Sequence, residues 1–205
     1  MIFDLFETGT SNLQSIPIED GEISFLEKFP LPFEYEVVFQ QLISDTPWRA
    51  EQIKIWGKTH IQPRLVAWYG DPGKSYTYSG NTFTPLPWTQ ILIKIKDKIE
   101  QLTDKKFNSV LLNYYRNNSD SMGFHSDNEK ELGETPSIAS LSLGASRVFI
   151  LKHKFKKELK PIRIKLNNGN FILMSGDTQK NWDHGISKET KECGPRINLT
   201  YRNIF

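Results

Sequence analysis

A single cysteine, Cys193, stands among 205 residues. An internal disulfide is therefore excluded, as is a cysteine-built metal site. A reducing, intracellular compartment (cytoplasmic, or nuclear in a eukaryote) is the expected setting. Long apolar runs are missing as well. None approaches the roughly 20 residues that a membrane-spanning helix needs, so no membrane association is expected. The opening MIFDLFETG lacks a basic stretch and carries Asp4 and Glu7, which is not the pattern of a secretory signal. Repeats and low-complexity tracts are absent. Histidine is scarce: His60, His125, His153 and His184 are the whole supply, and an imidazole-based metal site must draw on those four.

The chain is long enough for one well-packed domain and short for two, and a monomer is expected. Aromatics are plentiful, with 13 Phe, 7 Tyr and 5 Trp. The net charge of +2 conceals an asymmetry: residues 1–36 hold eight acids against Lys28, leaving +9 on the remainder. The densest basic stretch is LKHKFKKELKPIRIK (151–165), with seven Lys or Arg against Glu158. Such a run is either a solvated strand edge or a surface that contacts phosphates.

Residues 1–32 are acidic and weakly patterned and read as an N-terminal extension. Spacing of Val38, Leu42 and Asp45 predicts a short amphipathic helix over 34–45. EQIKIWG (51–57) alternates like a strand and is closed by Gly57 as a turn, and RLVAWYG (64–70) reads as another strand, followed by the breaker run Asp71-Pro72-Gly73. After Pro87, the residues Ile91, Ile95, Ile99 and Leu102 share one face of a helix over 88–102. From 107 onward the rhythm changes. FNSVLLNYY, SIASLSLG, RVFILKHK, PIRIKL, NFILMSG and RINLTYR are short β-rich runs separated by Gly, Asn, Asp and Pro. Mainly β (α+β) is the predicted class, as a double-stranded β-helix (jelly-roll) with the N-terminal helices packed on it.

Two patterns carry chemistry. In GFHSDNE (123–129), His125 and Asp127 are two residues apart, so in extended backbone both project to one face. Together with a histidine from elsewhere, His184 in NWDHGI being the useful candidate, they make two imidazoles and one carboxylate on one face of an octahedral iron. Alone, a His-x-Asp pair is more often a hydrogen-bonded surface pair. His153 lies in the lysine run, where phosphate contact or exposure is expected, and His60 has no carboxylate beside it. The second pattern is RINLTYR (196–202). Alternation sets Arg196, Asn198, Thr200 and Arg202 on one face and Ile197, Leu199 and Tyr201 on the other. If the apolar face meets the core, two guanidiniums need anions, and a dicarboxylate suits them. An outward polar face with both arginines in solvent is the alternative.

These residues resemble the AlkB family of Fe(II)/2-oxoglutarate-dependent dioxygenases. The likeness runs through NYY (113–115), HSD (125–127), SIASLSLGASRVF (137–149), His184 and RINLTYR. It extends upstream through PRLVAWYGD (63–71), YTYSG (76–80) and PLPW (85–88), a pattern closest to the branch acting on duplex DNA. The resemblance implies that His125, Asp127 and His184 bind Fe(II). It also implies that Asn113, Tyr115, Arg196 and Arg202 hold 2-oxoglutarate with Asn198 nearby, and that Arg202 lies close to the reacting centre. Oxygen is the third reactant. The implied reaction is oxidative demethylation of N1-methyladenine- or N3-methylcytosine-type bases, with release of formaldehyde, succinate and carbon dioxide.

A methyl on a base's pairing edge is reached only when the nucleotide is flipped out. By resemblance, Tyr78 and Tyr76 wall the flipped base opposite His125, Glu129 lies near its exocyclic amine, and Arg64 joins this substrate-binding set. TYTYSG also reads as an ordinary strand with its tyrosines on one face. Trp56, beside Gly57 with Lys54 and Lys58 flanking it, matches the place of an aromatic wedge that fills the emptied stack, although core burial is the usual fate of such a residue. Residues 33–106 would form the nucleotide-recognition lid with its supporting helices, and 107–205 the catalytic core. The expected partner is DNA, duplex favoured and single strands possible, with RNA left open. Rival readings are a dioxygenase acting on RNA, protein or a small metabolite, and a non-catalytic nucleic-acid-binding module.

Overall fold

The computed structural model describes residues 12–55, 58–74, 76–78 and 81–205, with 53–55, 58, 76–78 and 81–83 described by their backbone alone. β1 (Gln14–Ile16) and β2 (Glu22–Leu26) precede α1 (Tyr35–Asp45). Two hairpins follow, β3 (Gln52–Ile55) with β4 (Lys58–Ile61) and β6 (Tyr76–Tyr78) with β7 (Asn81–Phe83), on either side of β5 (Leu65–Gly70). After α2 (Gln90–Thr103) come β8 (Ser109–Tyr115), β9 (Met122–His125), β10 (Ile138–Gly144) and β11 (Arg147–His153). β12 (Ile162–Leu166), β13 (Phe171–Ser175), the single turn α3 (Thr178–Asn181), β14 (Trp182–Ile186) and β15 (Arg196–Arg202) complete the chain.

Seven strands form a larger sheet in the order β1-β2-β13-β10-β15-β8-β5, and four form a smaller one, β12-β11-β14-β9. Their ladders are antiparallel. From β8 on, the chain passes back and forth between the two sheets, which is the double-stranded β-helix expected from the strand rhythm.

Both helices expected from apolar spacing form. α2 starts where the Thr89 side chain accepts the Leu92 N–H, and it ends at Asp104 in left-handed backbone (φ 52°). Ile91, Leu92, Ile95 and Ile99 are buried, and Leu102 packs beside them. With Val38 and Leu42 of α1 they meet Ile197, Leu199 and Tyr201 of β15 in one core. Each such side chain stabilises the fold by about 1.5–3 kcal/mol. A second core, including Ile138, Leu151, Ile164, Met174 and Trp182, draws its residues from both sheets. β15 therefore turns its apolar face to the helices and its polar face to the space between the sheets.

The N-terminal extension does not stand apart over the described part of its length. β2 pairs with β13 along five positions, from Phe171↔Leu26 to Ser175↔Glu22, and β1 pairs with β2. EISFL is short, and its partner strand lies far along the chain, so no local pattern announces the pairing.

Candidate metal centre

β9 and β14 are neighbours, and His125 is the register partner of His184. Their rings lie 4.5 Å apart between centroids. Asp127 follows two residues after His125, just past the end of β9. One ligand atom from each of the three residues can be chosen so that all lie within 4.8 Å of one another. His125 Nε2 stands 3.9 Å from Asp127 Oδ1, and His184 Nε2 stands 3.9 Å from Asp127 Oδ2. The close approach of the two strands requires a small residue. A Cβ on Gly185 would fall 2.9 Å from the Met122 carbonyl oxygen.

Proton positions follow from the partners. His125 Nδ1 lies 3.0 Å from the Gly123 carbonyl, so it carries the proton and leaves the Nε2 lone pair facing the centre. Asp127 is 2% exposed, and its Oδ1 accepts from Arg202 Nη2 at 2.8 Å. Burial alone would raise its carboxyl, but the charges of Arg202, His184 and His125 and the Arg202 hydrogen bond outweigh it and hold the pKa at about 2. Burial, with the nearby His125, lowers His184 to about 3, and Asp127 only partly opposes this. At neutral pH the centre presents an ionised carboxylate and a neutral His184, the forms that ligate a cation. Among the described residues, Asp127 Oδ2 and His184 Nδ1 are buried without a hydrogen-bond partner.

The polar face of β15 lies alongside. Arg196 is 1% exposed; its Nη2 donates to Ser142 Oγ at 2.9 Å, while among the described residues Nε and Nη1 have no hydrogen-bond partner. Its guanidinium carbon is 5.1 Å from the centre of the Tyr115 ring. Register brings Tyr115 beside Arg196 and Asn113 beside Asn198. The Tyr115 hydroxyl and Asn113 Nδ2 are likewise buried without hydrogen-bond partners. Buried polar groups are rarely left so, and this set would suit an anionic ligand that accepts from them. Asn198 differs: its amide donates to Ser140 Oγ and the Leu141 carbonyl and accepts from Thr200 Oγ1, so it braces the strand.

A cleft of about 160 Å³ opens at the centre, lined among others by His125, Asp127, Glu129, Arg64, Gln62 and Arg202. Among the described residues, Glu129 Oε2 and Gln62 Oε1 are buried without hydrogen-bond partners. Arg64 is 7% exposed, and its Nε donates to Asn113 Oδ1 at 2.7 Å. The other substrate-side candidates are less fully described. Tyr76 and Tyr78 are on β6, their side chains outside the description, and Trp56 lies outside the described residues. Gln62 carried no signal in the sequence, because one amide in a loop matches no pattern.

The expectation for His153 is corrected. It is 5% exposed rather than available to phosphate. Its Nδ1 accepts the backbone N–H groups of Phe155 and Lys156, so Nε2 donates to Asp20 at 3.2 Å. Lys156 pairs with Glu19 and Asp20, so the acidic N-terminal turn takes up part of the basic run. His60 is exposed on β4, as expected.

Comparison with known proteins gives the same direction. The family model of the 2OG-Fe(II) oxygenase superfamily matches residues 23–202. The chain is 42% identical over 180 residues to alpha-ketoglutarate-dependent dioxygenase alkB homolog 3 of Bos taurus, covering 84% of this chain and 62% of that protein. It is 36% identical over 181 residues to the DNA oxidative demethylase ALKBH2 of Mus musculus, covering 84% and 76%. It therefore spans less than two thirds of the alkB homolog 3 proteins it matches. Among solved structures, OsALKBH1 superposes with a TM-score of 0.67 at 16% identity, covering 93% of this chain and all of the other, a likeness of fold.

Proposed function

Because this chain belongs to the 2OG-Fe(II) oxygenase superfamily, we propose that it is an Fe(II)- and 2-oxoglutarate-dependent dioxygenase that demethylates N-alkylated bases in DNA. One observation carries the reading. A group formed by half-buried His125 with buried Asp127 and His184 lies on the same side of the fold as a buried guanidinium, phenol and amide with hydrogen-bonding groups unpaired among the described residues. A metal with open positions and a dicarboxylate would satisfy both sets.

His125, Asp127 and His184 would hold the iron, with Arg202 keeping Asp127 ionised and oriented. Arg196 would pair with the distal carboxylate of 2-oxoglutarate, with Tyr115 and Asn113 contributing the hydroxyl and amide. Asn198 would act through the strand it braces. When bound, iron, 2-oxoglutarate and oxygen supply the oxidation that converts N–CH3 to N–CH2OH, with succinate and carbon dioxide as co-products and formaldehyde released as the carbinol collapses. The protein's own part is to position, to exclude water and to read the base. Glu129 lines the cleft with an unpaired acceptor, suited to an exocyclic amino group. Arg64 orients Asn113. Tyr76 and Tyr78 are proposed as the walls of the flipped base.

Duplex DNA is the proposed form of the substrate, on the strength of Trp56 between Lys54 and Lys58, a wedge with phosphate contacts on either side. Residues 107–205 are read as the catalytic core and 33–106 as lid and support, working as an intracellular monomer. The mouse ALKBH2 relative bears the name of a DNA oxidative demethylase, which supports DNA over a protein or metabolite substrate.

The test is anaerobic loading with Fe(II) and 2-oxoglutarate, then oxygen, with oligonucleotides carrying N1-methyladenine or N3-methylcytosine. Formaldehyde and succinate are expected in equal amounts. Succinate without base repair would remove the nucleic-acid assignment. Trp56→Ala should slow repair of duplex far more than of single-stranded oligonucleotide; an unchanged ratio would remove the wedge.

A further inference from the structure

The lysine-rich run leaving β11 is not uniformly a surface. Lys154, its side chain 17% exposed, turns inward. Its Nζ donates to Ser126 Oγ and to the Gln179 carbonyl, each at 2.7 Å, and lies 3.9 Å from Asp183 Oδ1. Its backbone N–H donates to the Asn181 carbonyl at 2.7 Å. Ser126 sits between His125 and Asp127, and Asp183 immediately precedes His184. One ammonium therefore touches both chain segments that carry the three candidate ligands.

Gln179 completes the arrangement. It is 1% exposed, and its Oε1 accepts the backbone N–H of Asp127 at 2.9 Å. Asp127 lies beyond β9, where no strand ladder fixes it, so this side-chain bond sets the direction of its backbone. Its amide nitrogen lies 3.5 Å from Met174 Sδ, which holds the side chain's orientation.

We infer that Lys154 and Gln179 are positioning residues for the metal centre: together they hold the Ser126–Asp127 segment against β14 so that His125, Asp127 and His184 converge. The inference rests on reading those three as metal ligands. An ammonium with its donors on a hydroxyl and a carbonyl makes charge-assisted bonds, stronger than neutral ones. Removing it leaves both acceptors turned toward a space with no donor. Lys154 is thus withdrawn from the set of lysines that could meet phosphate, whereas Lys160 of the same run stays exposed.

Binding of Co(II), read from its visible absorption, tests this in the intact chain. Partners behind a ligand shell typically change metal affinity about 10–100-fold, and Lys154→Met and Gln179→Leu should each do so. Lys154→Arg keeps a cation and should restore most of the affinity, while Lys160→Met should leave it unchanged. The double variant should lose less than the product of the single losses, because both residues act on one segment. At saturating metal the KM for 2-oxoglutarate should stay near wild type, which a general loosening of the fold would not allow. Should either variant fail to fold, Ser126→Ala, which removes only the hydroxyl that Lys154 meets, is expected to weaken Co(II) several-fold. Unchanged Co(II) affinity in the folded variants overturns the inference and leaves the ligand assignment standing. A wild-type chain that does not bind Co(II) overturns both.

Discussion

Replacing Arg196 by Met should separate the site's function from its stability. The guanidinium is 1% exposed, with one hydrogen bond to Ser142 and with Nε and Nη1 unmatched among the described residues. Burial pulls its pKa down, the sign of a charge held in an unfavourable place. If the missing partner is a carboxylate of 2-oxoglutarate, two charged hydrogen bonds are lost in the variant. At about 1.5–3 kcal/mol each, that is roughly 3–6 kcal/mol, or about 100- to 20,000-fold in affinity at 1.4 kcal/mol per tenfold. The ligand-free variant should meanwhile be as stable as wild type or more so, because an under-paired buried charge gives way to an apolar chain of similar reach. Titration calorimetry with Zn(II) in place of iron gives the affinity. Thermal melts with and without 2-oxoglutarate give the stabilisation, about 2.7 kcal/mol at 100 Kd for a binding-competent protein and near zero for the variant. Binding within threefold of wild type, or a ligand-free variant destabilised by several kcal/mol, would show that Arg196 is a structural cation and refute the reasoning.

Two further outcomes follow from the centre itself. Gly185→Ala places a methyl against the Met122 and Gly123 carbonyls, 2.9 and 3.2 Å from where its Cβ must sit. The strain should cost about 1–3 kcal/mol in the melt and weaken metal binding by displacing His125 from His184; a variant with normal Tm and metal affinity would remove the close-approach argument. The metal-free protein should lose stability as pH falls. His184 stays neutral in the fold down to about pH 3 against an ordinary value of 6.5, so between those limits the unfolded chain binds a proton that the folded chain does not. Asp127, at about 2 against 3.8, extends the loss at the acid end. His184→Asn should flatten the slope between about pH 6.5 and 4, and urea midpoints across that range that match wild type would contradict the assignment.

The legible parts of the chain were those with a short period. RINLTYR announces a two-faced strand, and all seven of its residues are buried, the apolar ones toward the helices. His-x-Asp was legible from its spacing, although β9 ends at His125 and the Gln179 side chain directs the Asp127 backbone. Distant pairing was not legible. β1 and β2 look like an acidic arm because their partner, β13, is recognised only once the sheet is built. The basic run misled for a related reason. Charge counting assigns every lysine to solvent, yet Lys154 and Lys156 each found internal partners, and His153 was drawn into the same network. Gln179 and Gln62 could not be found at all, since an amide acquires meaning only from what faces it.

Among the described residues, the hairpins β3–β4 and β6–β7 each form a two-stranded sheet of their own and join neither main sheet by a ladder. The three candidate metal ligands and the polar face of β15, by contrast, are set by the spacing of the two main sheets, with Arg202 on one bonded to Asp127 beside the other. The molecule is thereby modular in an evolutionary sense. A hairpin can lengthen, shorten or change its tip without moving His125, Asp127 and His184. If the hairpins read the substrate as proposed, divergence in what is recognised should concentrate before residue 84, and grafting both from a relative would move substrate preference while leaving metal affinity where it was.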